Sequence, residues 1–203
     1  MKIFILSFLL TSTCLAKSFV PASFSANFEE SIVSMASGKE KKSFGKIDYK
    51  FPGHIRFEIT SPNASTFISN PERSWYYVPP FVEGEQGQVT IQSSSKLPLT
   101  KFLDSIKGGL EGSKLFTFKY AGKDLILTFV KTVQKELTLK EVIFHSDKEA
   151  KNVQKMNEFE KMTLIYSDGR KVNLKFIDLK EDVSFPVKHF EFTPPAKTKI
   201  ING

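Results

Sequence analysis

The sequence predicts a mainly β chain, antiparallel, with one short helix. Three observations carry that reading. In residues 46–60, Ile47, Tyr49 and Phe51 alternate with Lys46, Asp48 and Lys50, and after Pro52-Gly53 the apolar set Ile55, Phe57 and Ile59 alternates with His54, Arg56, Glu58 and Thr60. Period two belongs to strands with one apolar and one solvated face. Turn residues bound each run, at Pro52-Gly53, Ser61-Pro62-Asn63 and Asn70-Pro71. The helical period is clear only once, where Leu99, Phe102, Leu103 and Ile106 follow Pro98 at i, i+3, i+4 and i+7 before Gly108-Gly109.

Taken in order, the chain opens with Lys2, an apolar run from Ile3 to Leu10 broken by Ser7, and Cys14-Leu15-Ala16. This pattern predicts a secretory signal peptide over residues 1–16, cut after Ala16, leaving 17–203 as a single domain. The run is too short to span a bilayer. The alternative is a lipoprotein signal with Cys14 as the lipidated residue, although Thr13 and Leu10 fit it poorly. Cleavage after Ala16 removes the one cysteine, so the mature chain has no thiol and its core must hold by packing. The net charge of +7 falls by one because Lys2 leaves. Lysines scattered along polar faces read as a solvated surface with weak attraction to anionic membranes, and nothing pairs them with aromatics as nucleic-acid readers require.

Ser23–Ser34 reads as a strand because Phe24, Ala26 and Phe28 share one side. Residues 37–43 read as a loop, and 84–96 is a polar, glycine-containing segment. The 98–106 helix is short, so it must lean on apolar surface to persist; alone, its pattern favours a fixed cap over a movable lid. Strands return over 115–120 and 124–130 across Ala121-Gly122-Lys123, then over 137–145. The charged stretch 147–157 reads as a mobile loop. Residues 158–166 and 170–179 form a hairpin about Ser167-Asp168-Gly169. Phe190-Glu191-Phe192 reads as a last short strand stopped by Pro194-Pro195.

Twenty phenylalanines against one tryptophan call for fully apolar surroundings, which a packed core and a cavity for an aliphatic ligand supply equally. No nucleophile elbow, zinc-protease, Walker or dinucleotide motif occurs. His54, His145 and His189 lie far apart with no metal-ligand spacing, and Asp48 and Glu58 fall on predicted wet faces. The reading is therefore of no enzyme, no metal and no cofactor.

An ordered series of short motifs resembles the LolA-type periplasmic carriers of outer-membrane lipoproteins. It comprises Phe24-x-Ala26-x-Phe28 with Glu30 just after, Gly45, Tyr49-Lys50-Phe51-Pro52, Ile55-Arg56-Phe57, Ser61-Pro62, Trp75 to Glu83 with its Pro80-Phe81, Leu97-Pro98-Leu99, and Phe190-x-Phe192-x-Pro194-Pro195 with Ile200-Ile201. The resemblance implies one strongly curved antiparallel sheet, an incomplete β-barrel, with short helices as a lid over its concave apolar face. It implies an acyl-binding wall of Ile47, Tyr49, Phe51, Ile55, Phe57, Ile59, Phe67, Trp75 and Tyr77. It makes Leu99, Phe102, Leu103 and Ile106 the lid, in place of a fixed cap. Partners implied are acylated lipoproteins, an inner-membrane ABC exporter and an outer-membrane acceptor, for a monomer touching membranes transiently.

Two departures set further expectations. The family arginine before the first wall proline, whose head bonds the lid shut, is here Phe51, so closure should be looser or purely apolar. Only Lys17 to Ala22 remain of the family's leading amphipathic helix, so the groove should be wider. Two alternatives keep the fold: a sensor that binds lipid without shuttling it, and a membrane-anchored LolB-like acceptor if Cys14 is lipidated.

Overall fold

The computed structural model describes residues 18–33, 38–93 and 98–203. The expected signal peptide, its cleavage site and Cys14 lie outside the described residues. Twelve strands form one sheet that does not close: β1 (Ser23–Val33), β2 (Glu40–Lys50), β3 (His54–Ser61), β4 (Ser65–Ser69), β5 (Arg73–Val78), β6 (Gly87–Ser93), β7 (Phe116–Ala121), β8 (Asp124–Phe129), β9 (Leu139–His145), β10 (Lys161–Tyr166), β11 (Lys171–Glu181) and β12 (Thr198–Asn202). Among the described residues two α-helices accompany it, α1 (Pro98–Ile106) and α2 (Lys131–Leu137).

Strands β2 to β6 form one antiparallel meander and β7 to β11 another. The first strand stitches them together by pairing with β2 on one side and β11 on the other. Only β12 runs parallel, along β6 at one edge. Pairing slips by a residue between Ser25 and Asn27, between Phe44 and Gly45, and between Ile165 and Tyr166; such irregularities bend a sheet. Gly45 sits at one of them. A Cβ there would lie 1.9 Å from the Glu58 carbonyl oxygen and 2.6 Å from the Phe28 ring, so only glycine lets Phe28 lie across β2.

The inner face of both meanders carries the main core. Phe24, Ala26, Phe28, Ile47, Tyr49 and Ile55 from one half meet Leu125, Leu127, Phe129, Val142, Phe144, Met162 and Leu174 from the other. A second, smaller cluster lies on the outer face, where Ile68, Trp75 and Val89 are covered by Phe190, with Phe185 and Phe192 beside it. Residues 183–197 thus form a strap across the outside of the sheet. Here the structure corrects the sequence reading: Phe190-Glu191-Phe192 is not a strand, and the terminal strand is β12.

Other elements also differ from expectation. The polar segment 84–96 contains β6, whose apolar residues Val89 and Ile91 were too few to show a period. Helix α2 went unseen because Val133 and Leu137 are its only inward residues, ahead of a left-handed Thr138. The charged stretch 147–157, read as a mobile loop, holds two 3₁₀ turns, Ala150–Asn152 and Met156–Glu158, and buries Ala150, Val153 and Met156. Asp48, expected on a solvated face, is 2% exposed because the strap covers it. His189 Nε2 lies 2.7 Å from Asp48 Oδ2, and Lys46 Nζ is 3.2 Å from the same carboxylate.

Candidate lipid-binding wall and its lid

Register decides which predicted wall residues share a face. Tyr49 pairs with Phe24 and Ile55, Ile47 with Ala26 and Phe57, and Gly45 with Ile59; Phe57 pairs with Phe67. Ile47, Tyr49, Ile55, Phe57, Ile59 and Phe67 therefore lie together on the inner face, with Phe57 stacked on Phe28 at 4.1 Å between ring centroids. Trp75 and Tyr77 do not join them. Trp75 pairs with Ile68 and Tyr77 with Thr66, which places both on the outer face under the strap, where Tyr77 meets Phe192 at 5.1 Å. The inner residue of β5 is Tyr76, opposite Phe67 and 48% exposed. The aromatic triplet hid this, because three adjacent aromatics show no alternation. Phe51 falls in the turn after β2 rather than in the strand, with the Lys107 ammonium 4.8 Å above its ring.

The residues expected to form a lid are placed together. Phe102, Leu103 and Ile106 are fully buried and Leu99 partly so. Phe102 packs on Phe129 and Phe144, at 5.9 and 6.2 Å, so α1 bridges from the first meander to the second. Elsewhere on the inner face, among Phe144, Met156, Phe159, Met162, Leu174 and Phe176, there is a void of ≈ 10 Å³, room for one water at most. A larger open groove of ≈ 350 Å³ lies between α1 and α2, floored by Leu115, Val133 and Leu137 and bridged by the Lys101–Glu136 ion pair.

Closure is not purely apolar, one of the two expectations drawn from Phe51. Asp104 on α1 accepts a hydrogen bond from the Tyr49 hydroxyl at 2.6 Å and another from the Gly53 amide at 2.9 Å. One carboxylate thus clasps the helix to the β2–β3 turn. Burial pushes the Asp104 carboxyl up, against the two hydrogen bonds and the nearby His54, which pull it down; the net shift is upward. Burial also raises the Tyr49 phenol, and Asp104 raises it further, so it stays a donor. Nothing in the sequence tied Asp104 to Tyr49, 55 positions apart.

At the chain's start, where a wider groove was expected, residues 18–20 pack against the core. Phe19 and Val20 are buried in the core. The Ser18 hydroxyl and the Phe19 amide both donate to the Lys107 carbonyl, at 2.6 and 3.2 Å, and Phe19 O accepts from Met156 N at 2.9 Å. This short segment stops the end of α1 where a longer helix was expected to be missed. Among the described residues no group of histidine, cysteine and acids is placed to hold a metal ion, and no helix is long and apolar enough to cross a membrane.

The chain is similar to known lipoprotein carriers. The profile of the outer membrane lipoprotein carrier protein LolA matches residues 21–193. The outer-membrane lipoprotein carrier protein of Dechloromonas aromatica (strain RCB) is 24% identical over 179 residues, covering 87% of this chain and 79% of its own. That of Francisella philomiragia is 26% identical over 189 residues, covering 89% and 82%. The crystal structure of a LolA superfamily protein from Nitrosomonas europaea aligns with a TM-score of 0.48 at 13% identity, covering 85% of this chain and 91% of that one. With the profile spanning most of its length, the chain belongs to the LolA family of lipoprotein carriers, which are chaperones and not enzymes.

Proposed function

We propose that this protein carries acylated lipoproteins through the periplasm, receiving them from an inner-membrane ABC exporter and passing them to an outer-membrane acceptor. The acyl chains would lie on the inner wall, along Phe28, Ile47, Phe57 and Ile59, with α1 drawn aside. The observation that carries this reading is a continuous apolar inner face over which the nine-residue helix α1 packs, tied to the first meander through the Asp104 carboxylate.

Magnitudes favour an exchange. Each CH₂ buried is worth ~0.8 kcal/mol, so a chain of about 16 carbons gains about 13 kcal/mol. Phe19, Phe102, Leu103 and Ile106 are the side chains that leave the wall, and at about 1.5–3 kcal/mol each they give up about 6–12 kcal/mol. Ligand and lid therefore compete on nearly equal terms, which permits both uptake and release.

The test is purification from the native envelope followed by mass spectrometry of bound species and of the mature N-terminus. The reading expects lipidated polypeptides on a soluble chain that starts at Lys17. A chain recovered without any acylated cargo would overturn it, and a lipidated Cys14 would make the protein an anchored acceptor.

A further inference from the structure

Glu30 is the one acidic residue that β1 turns toward the inner wall. Phe24, Ala26 and Phe28 precede it on that face and Ile32 follows. It pairs with Leu174 on one side and Ser43 on the other. Phe24 and Phe28 are fully buried, Glu30 and Ile32 are half-buried, and Val33 is exposed. Glu30 thus stands at the boundary between dry wall and water, one inward position beyond the Phe28–Phe57 stack.

No cation of the described chain answers it. Neighbouring Glu29 pairs with Lys42 at 2.6 Å on the opposite face. Lys41, diagonal to Glu30 on the same face, forms no ion pair with it, and Arg170 is taken by Asp168 at 2.6 Å. Burial raises the Glu30 carboxyl with no compensating partner, and the Tyr166 phenol at the same rim is raised by its own burial first and, against Arg170, by the Glu30 charge as a smaller cause. A carboxylate half out of water without a counterion is unfavourable.

From this placement we infer that Glu30 binds an ammonium group on the ligand's head, namely the free α-amino group of a lipoprotein acylated only through its cysteine sulfur. The inference rests on the carrier reading, since tails on Phe28 and Phe57 bring the head to this rim. A diacyl phospholipid with an ammonium head fits less well, because its phosphate would come beside the carboxylate.

The mature chain is titrated with a synthetic peptide bearing an S-dipalmitoylglyceryl cysteine and no charged side chains, with its α-amine free or acetylated. The wild type should bind the free amine about tenfold tighter, as charge-assisted hydrogen bonds are worth. Glu30→Gln, isosteric and half-exposed, should bind both forms equally, with its affinity for the acetylated form unchanged. Equal affinities in the wild type, or a preference kept by Glu30→Gln, would overturn the role of Glu30 alone. Binding of neither peptide would overturn the carrier reading and this inference with it. The wild-type comparison needs no variant, so it stands whatever Glu30→Gln does to folding.

Discussion

Asp104 concentrates in one side chain the polar contacts that α1 makes with the first meander. Hydrogen bonds to a charged acceptor are each worth about 1.5–3 kcal/mol, and partial exposure lowers the pair to about 2 kcal/mol. Asp104→Ala should therefore raise the opening equilibrium of α1 about 30-fold, read as faster amide exchange over 98–106 with β-sheet amides unchanged. Equal exchange in both proteins would show that the clasp does not hold the lid. The sign of the pH effect follows from the upward shift of the Asp104 carboxyl. A carboxyl raised in the closed form is protonated more readily there than when open. Closure is thus favoured below its ordinary pKa of 3.8 and loses that contribution as pH rises through the raised value. Uptake of an apolar dye should increase as pH rises above 3.8 through the raised value, and Asp104→Asn should flatten that rise. Asp48 has the opposite sign. Burial pushes it up, but hydrogen bonds from Ser25, His189 and Lys46 together prevail and hold it low. Its contribution is present above pH 3.8 and is lost as pH falls below that.

Among the elements, the strap and the inner wall make separable predictions. Trp75 is the sole tryptophan and sits under Phe190. Phe190→Ala removes a side chain that is 4% exposed, at about 3 kcal/mol for a buried phenylalanine. Trp75 emission should shift to the red in that variant while ligand binding persists. Loss of binding without a shift would place the strap in the ligand path. On the wall, Phe57 is only half-buried and stacks on Phe28. Phe57→Glu should leave a folded protein that no longer retains acylated peptide. Unchanged retention would count against the wall assignment.

At the scale of the whole molecule, the first strand joins two meanders, so one sheet curves around one apolar interior. Gly45 is where that curvature is most exacting. Gly45→Ala should destabilise the entire sheet by about 3 kcal/mol or more, because the blocking atom is the backbone oxygen of Glu58. Denaturant titration checks this, and a change under 1 kcal/mol, on the order of a tolerated surface substitution, would contradict it.

Period-two runs in β2 and β3 were legible because each strand has one wet and one dry face, and α1 was legible because four apolar residues repeat at helical spacing. Those local patterns also determined an apolar wall and a helix needing support. Where local pattern was silent, tertiary contacts decided. Trp75 and Tyr77 face outward because strand pairing sets the parity of β5, and the strap, remote in sequence, supplies their cover. Asp48 is buried for the same reason. The clasp between Asp104 and Tyr49 depends on where α1 lands, a long-range matter no window of residues encodes. Side-chain periodicity is a property of one strand or helix, whereas the face each presents, and the partner that meets it, belong to the assembled sheet.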